Sequence, residues 1–595
     1  MITPFQPTLT VASRLFDTVI GIVDRSEADS LIDCWHALER GAGGRPPSGF
    51  VYTSRAVLTA ILILTFHQRT VTIRQILATI ADMTDEQLAA VGMAGANTSA
   101  IYDQPKREYT RFHAWLTRQF TPVDPHADLP AQRISNKEHK RLLGDRTAEQ
   151  WHAAERAGER LSILINRIVA ASVWEKRPQG CRGDLVTDES TFDLARHMYG
   201  LGVKDDKLRG ATPGGSPYAR GQDNAVSTGS EPLALNGKIT KSGYGLGLTA
   251  LTRVGEPHQL HAVPPVVIGI SVGKVTSGSV EGLFEALTRA KENDLTGRSP
   301  SSRAAWPFLT VDMGYNVKRT WAETMIREQY AYVGRYPKHW KTVYPSAPAA
   351  GRETDPGPVQ VAGDFYCPAV QPHINKFTVR PTRTMLESNP SGFAEHDRAL
   401  AQVLPLLMGR NSRPEYRNVT RGRPRIGGSR DEQLTVKLVC PAAMGRVRCP
   451  LKPESLSVDS SVPAVDPKWS ADRYGCCSNA SLTVTLTDAQ IRLAQWGMTP
   501  GSWEHALYYE AARSLTEQRF SQLKSNAVTG LKELVEGPRR EPLIAITLAA
   551  AVAVLNHRTQ EAYDRRQHRA ESIDIRMRLL ESDLGHPPAK TPPRT

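Results

Sequence analysis

The chain has 595 residues, more than one compact core accommodates, so about two to four domains are expected from length alone. Its 74 basic residues against 61 acidic ones leave a net charge of +13, which favours a polyanionic partner, nucleic acid ahead of an anionic membrane surface. Seven cysteines, an odd number in a long chain, argue against a disulfide-built scaffold and fit a reducing cytoplasm.

The opening MITPFQPTLTVASRLFDTV has no basic segment followed by a sustained apolar run, so no secretory signal is expected. The longest apolar run, LIAITLAAAVAVL (Leu543–Leu555), falls short of the roughly 20 residues a bilayer requires and is expected to be a buried helix, with no membrane partner.

Residues 1–174 carry helical patterning throughout and are expected to form a DNA-binding region. TSRAVLTAILILTFHQ is an apolar helix with Thr53 or Ser54 as its cap, and TIRQILATIADM (Thr72–Met83) follows after a short basic break. Two helices joined in this way allow a helix-turn-helix, and equally two core helices of a bundle. KREYTRFHAWLTRQF (Lys106–Phe120) mixes basic and aromatic residues at helical spacing, which suits contact with backbone phosphates. LSILINRIVAASVW (Leu161–Trp174) closes the region.

Beyond KRPQG the period changes to that of strands. GDLVTDES (Gly183–Ser190), GLGLTALTRV (Gly245–Val254) and PVVIGISV (Pro265–Val272) are three strands. A helix, SVEGLFEALTRAKEN, a strand, PFLTVD (Pro307–Asp312), a helix, KRTWAETMIREQ, and a strand, YAYVG, complete the order β-β-β-α-β-α-β. The Gly-, Asp- and Lys-rich stretch from Gly202 to Lys241 is expected to be a long mobile loop.

Residues 335–487 are rich in Pro, Gly and Arg with short strand-like runs, an insertion before helical patterning resumes at Asp488. Within it, Cys440 and Cys449 with Cys476, Cys477 and Cys367 can supply four thiolates to a structural Zn²⁺, or stay as buried free thiols. RGRPRIGG (Arg421–Gly428) is similar to the core of an AT-hook, in which Arg421, Arg423 and Arg425 would enter a narrow minor groove. Residues 561–595 are expected to be a charged helix and a frayed proline-rich tail.

The candidate chemistry lies in three acids. Asp188 is expected to close the first strand and Asp312 the fourth, the sheet edge where ligands and catalytic groups collect. Two such carboxylates brought together repel unless a cation lies between them, and oxygen-only ligation suits Mg²⁺ or Mn²⁺. On the helix ALYYEAARSLTEQRFSQLKSN (Ala506–Asn526), Arg513, Glu517 and Lys524 fall within a stripe of roughly 40°, opposite Tyr508, Ala511, Ala512, Leu515 and Leu523. Glu517 can therefore be the third ligand. Asp184, Glu189 and Asp193 compete with Asp188 by proximity.

In TDEST around Asp188, LTVDMGYN around Asp312 and R-x3-E-x6-K at Arg513, Glu517 and Lys524, the sequence resembles the DDE transposases of bacterial insertion sequences. Specifically, it resembles the group whose RNase H-like core is interrupted before the final Glu. That resemblance implies a multidomain α/β protein with a catalytic core of mixed sheet at 175–334 and 488–560, divided by the 335–487 insertion. It implies Asp188, Asp312 and Glu517 as catalytic residues holding two Mg²⁺ or Mn²⁺ ions, with Arg513 and Lys524 on the phosphate backbone. It further implies cleavage and strand transfer of double-stranded element ends into target DNA, action as a homo-oligomer during synapsis, and a bacterial, nucleoid-associated location. In the tyrosine-containing form of the helix motif a Tyr lies three positions before the Arg; here that position is Glu510, with Tyr509 beside it. The rival readings are a DNA-binding protein without chemistry and an RNase H-like nuclease that cuts without joining.

Overall fold

Strand β1 (Leu185–Asp193) pairs antiparallel with the long β4 (Lys241–Arg253), which pairs antiparallel with β5 (Val267–Gly273). On its other edge β1 pairs in parallel with β6 (Phe308–Val311), and β6 in parallel with β7 (Ala331–Gly334). The order across the sheet is thus β5-β4-β1-β6-β7. The fold is a mixed α/β one with several domains, seen in a computed structural model that describes residues 11–40, 52–194, 208–221, 226–228, 241–275, 279–297, 305–312, 315, 319–335, 343–346, 356–376, 388–389, 391–418, 432–565 and 573–594.

Two expectations about the sheet are corrected. Asp188 does not close its strand: β1 runs on to Asp193, because Ser190, Thr191 and Phe192 are buried and β4 continues to pair with them as far as Gly245. Asp188 sits mid-strand opposite Ala250, just beyond the point where pairing with β6 stops at Val186↔Thr310. The stretch 202–241 also contains structure, since β2 (Ser216–Arg220) and β3 (Val226–Thr228) form a hairpin within it. Gly245 pairs with Asp193 on one edge of β4 and with Ser216 on the other, so β2 prolongs the edge that β5 occupies further along. Buried Tyr218 and Ala219 anchor that hairpin.

The apolar run Leu543–Leu555 forms the middle of a helix, Glu541–Arg565, long and apolar enough to cross a membrane by length and composition. Yet 89% of its apolar window is buried inside the protein, as expected of a core helix. It packs against Ser54–Phe66 and Ala148–Ala171, and one apolar cluster runs from these helices through Leu248, Val267 and Ile270 of the sheet to Phe520 and Leu523. The N-terminal helices therefore share a core with the far end of the chain.

Thr53 caps Ser54–Phe66 and Thr72 caps Ile73–Ala81, each accepting a backbone N–H. Neither helix offers the solvent-facing surface that a groove-reading helix needs. Ser54–Phe66 is buried almost throughout, and Ile73–Ala81 has no fully exposed residue. This corrects the helix-turn-helix alternative in favour of two core helices.

Strand β5 forms an edge, but its outward peptide groups are occupied. Asn166 donates to the Ile270 carbonyl at 2.9 Å and accepts the Ile270 N–H at 2.8 Å. Asn556 does the same at Val267, at 2.7 and 2.8 Å, and also donates to Ser172 Oγ at 3.0 Å. Two buried carboxamides complete what a further strand would otherwise supply.

Within 335–487 lie two small sheets. One is β8 (Val343–Pro345), β9 (Val359–Val361) and β10 (Asp364–Tyr366); the other is β11 (Gly409–Arg410), β12 (Glu415–Asn418), β13 (Glu432–Val439) and β14 (Ser481–Thr485). The C-terminal tail is not frayed, contrary to expectation. The Ala589 N–H donates to Asp397 at 2.8 Å, Thr591 N–H to Glu504 at 2.9 Å, and Arg594 makes bonds of 2.6 and 3.0 Å to the fully buried Asp364.

Candidate active site

The helix Trp503–Leu523 begins at Ser502, whose hydroxyl accepts the His505 N–H at 3.2 Å. Tyr508, Ala511, Ala512, Leu515 and Leu523 are buried, as the spacing predicts, and the helix lies over β1, β6 and β7. That packing turns Arg513 toward the sheet. Its Nη1 stands 3.2 Å from Asp312 Oδ2, its Nη2 3.7 Å from Asp188 Oδ2, and its Nε 3.0 Å from Glu517 Oε1. Three acids carried by a strand interior, a strand end and a helix meet around one guanidinium.

Burial is the main reason the Asp188 carboxyl is pushed up to about 6; the Asp312 and Glu517 charges add to it, while Arg513 and the Glu189 N–H, 2.8 Å from Oδ1, oppose them. The Asp188 side chain is 20% exposed and that of Glu517 57%, so Glu517 is the more open of the two to solvent. Arg513 is held more firmly protonated than usual: burial opposes its charge, but Asp312, Tyr509, Asp188 and Glu517 outweigh that.

Two tyrosines that sequence reasoning did not place in the site border it. Tyr509, one helical turn before Arg513, is buried beside the guanidinium, with Arg335 5.2 Å from its ring centre. Glu510, at the motif's tyrosine position, instead lines a surface with Leu580 and Asp583. Tyr315 is buried near Asp188 and Asp312. A shift of one residue in the helix motif hid the first. The second lies within the quoted LTVDMGYN, three residues after Asp312.

The competing acids are engaged elsewhere. Asp184 is fully buried, forked by Arg182 at 2.7 and 2.9 Å, and accepts the Phe308 N–H. Glu189 accepts from Ser279 at 2.6 Å and lies across Gly247, where a Cβ would stand 2.6 Å from its Oε1. Asp193 accepts from Tyr218 at 2.6 Å. Lys524 caps the helix at its C-terminal end, with Nζ 5.0 Å from the Phe192 ring centre, further along β1 than Asp188.

Among the described residues no group of three or more His, Cys, Asp or Glu side chains is arranged so that it could hold a metal ion. At the three acids the reason is physical, because Arg513 occupies the space between them. The donor set is nonetheless all carboxylate oxygen, and it has gathered around a cation, which is what a hard divalent ion requires.

No family model matches the chain, and no curated protein matches it. Among solved structures, that of a piggyBac transposase synaptic complex with hairpin DNA aligns over 96% of this chain and 81% of the other, at 10% sequence identity and a TM-score of 0.30. A likeness that slight carries no argument about mechanism.

Cationic surface is also present in the helix Pro105–Phe120, where Lys106, Arg107, His113 and Arg118 are exposed around exposed Tyr109, while Phe112, Leu116 and Phe120 are buried. Arg421, Arg423 and Arg425 lie outside the described residues. All seven cysteines are free thiols, and Cys440, Cys449, Cys476, Cys477 and Cys367 line a single cavity far along the chain from the acids.

Proposed function

We propose that the chain is a DDE-type DNA transposase that cleaves DNA ends and joins them to target DNA by in-line phosphoryl transfer. The observation that carries this reading is the meeting of Asp188, Asp312 and Glu517 around Arg513. An RNase H-like core is part of the proposal, supported by the order β5-β4-β1-β6-β7 with β6 and β7 parallel to β1. So are the division into 1–174, a core of 175–334 and 488–560, the 335–487 insertion and the 561–595 tail, and a bacterial insertion-sequence setting on the nucleoid.

Asp188, Asp312 and Glu517 would hold Mg²⁺ or Mn²⁺, and the bound ions would supply an activated water or 3′-hydroxyl and steady the leaving oxygen. The chain's own residues prepare this. Arg513 keeps three carboxylates close together that would otherwise repel, and Asp188 holds a proton below about pH 6. Arg513, which bridges these acids, is also placed to bind the scissile phosphate, with Tyr509 buried beside its guanidinium. The exposed basic face of Pro105–Phe120 would track the duplex backbone.

The test is cleavage and joining of a labelled end substrate in Mg²⁺, with binding measured in parallel. Asp188→Asn, Asp312→Asn and Glu517→Gln should each abolish both steps and leave binding nearly intact. Cleavage at the unmodified rate by Glu517→Gln would overturn the assignment, and cutting without joining would point to a nuclease.

A further inference from the structure

We propose that the insertion holds one structural Zn²⁺ on the thiolates of Cys367, Cys440, Cys449 and Cys477. This inference stands apart from the catalytic reading and survives its failure.

These four cysteines come from separate places: Cys367 just after β10, Cys440 just after β13, Cys449 in the turn that follows, and Cys477 in the short helix before β14. They nevertheless border one cavity with an apolar lining. Each of the four lies near enough to the other three that a thiolate at one would be felt at the rest. Cys476 also borders the cavity, but its thiol is hydrogen-bonded to Cys477. The sequence alone suggested Cys476 in the set; the mutual proximities favour Cys367 in its place.

The backbone around the sulfurs is built for thiolates. Cys367 accepts an N–H from Ala369, Cys440 from Ala442 and Ala443, and Cys449 from Leu451. In each case a donor lies two residues beyond the cysteine and the intervening residue is a proline, Pro368, Pro441 or Pro450. Three Cys-Pro turns thus aim an amide at their own sulfur. At the fourth, the buried indole N–H of Trp469, with no other partner among the described residues, lies against Cys477. Donors of this kind orient metal ligands and stabilise their negative charge. Lys452 borders the same cavity and offsets part of the charge that four thiolates around Zn²⁺ would leave.

Four sulfur ligands and no open position describe a structural zinc site rather than a catalytic one. The thiols border one cavity, but among the described residues no three of them stand close enough to hold an ion, so binding would have to draw them together. Closing requires loss of their protons, which metal binding itself drives. The ion would fasten β10 to the β13–β14 pair, joining the two small sheets of the insertion.

The experiment is metal analysis of the full chain purified without chelator. About one zinc per chain is expected. It should be lost in Cys440→Ser with Cys449→Ser and in Cys367→Ser, kept in Cys476→Ser, and kept in Asp188→Asn with Glu517→Gln, which separates it from the carboxylates. Folded, metal-free wild-type protein would overturn the proposal, as would zinc lost from Cys476→Ser but kept by Cys367→Ser. Should the serine variants not fold, the Co²⁺-loaded wild-type protein decides. A sulfur-to-cobalt charge-transfer band of four-thiolate intensity supports the site, and its absence refutes it.

Discussion

Arg513 reaches Asp312 across 3.2 Å, from the middle of a helix to the residue just after β6, and so occupies the space between the acids. On the proposed function the guanidinium would compete with divalent ions for the carboxylates and assist the phosphate. Arg513→Ala should therefore bind Mn²⁺ more tightly, on the order of tenfold after solvent screening of a near-contact charge. The same variant should cleave about 10²–10³-fold more slowly, as expected for loss of one charge-stabilising donor. Calorimetric Mn²⁺ titration beside a cleavage assay checks both; weaker Mn²⁺ binding would contradict the competition.

Asp188 makes the site sensitive to pH. Its carboxyl must lose a proton to take a metal ion, and burial raises its pKa from 3.8 to about 6, so Mn²⁺ affinity should fall as pH drops below about 6 and level off above it. The linkage to stability of the metal-free protein has the opposite sense. Between pH 3.8 and about 6 the folded carboxyl keeps a proton that the unfolded chain releases, so Asp188 lowers stability as pH rises through that window. Thermal unfolding of wild type and Asp188→Asn across pH 4–7 should show that slope only in the wild type.

Asp364 behaves in the other direction. Burial alone would raise its pKa, but Arg594 and Arg410 overcome this and pull it down to about 2. Its contribution is present above the ordinary value of 3.8 and is lost as pH falls toward 2. Asp364→Asn leaves two arginine side chains without their shared carboxylate, and should cost about 3–5 kcal/mol at pH 7. Arg594→Ala keeps the Arg410 pair and should cost less, about 1.5–3 kcal/mol. Thermal unfolding at pH 7 and pH 3 separates the two effects.

The fragment 1–174 should not fold cooperatively by itself, because Ser54–Phe66 and Ala148–Ala171 bury their apolar faces against Glu541–Arg565. Circular dichroism of the fragment on heating should lack a sharp transition. A sharp one would show that the N-terminal helices are self-sufficient.

The periodicity of the sequence located the elements that carry the site. PVVIGISV anticipated Val267–Gly273, PFLTVD anticipated Phe308–Val311, and the Arg513, Glu517 and Lys524 stripe lies on a helix whose opposite face is buried. What escaped it depends on distant partners. The first strand had no turn residue to mark its end, and its length is set by pairing with β4 as far as Gly245. Arg594 lies in a tail with every local sign of fraying, yet a carboxylate in β10 holds it. The cysteine spacing fits no familiar finger, since the cavity draws on separate stretches of chain that only folding brings together.

The two asparagines along β5 bear on how copies of this chain can meet. An exposed strand edge is the usual template for joining sheets from separate molecules, whether in an ordered pair or in an aggregate. Here Asn166 and Asn556 already hold the outward peptide groups of Ile270 and Val267, and both come from helices locked into the central core. Continuing the sheet through this edge would mean pulling those helices away first. Any association of two copies would therefore have to use side chains or other surfaces, and that flank of the sheet is guarded against sticking to its neighbours.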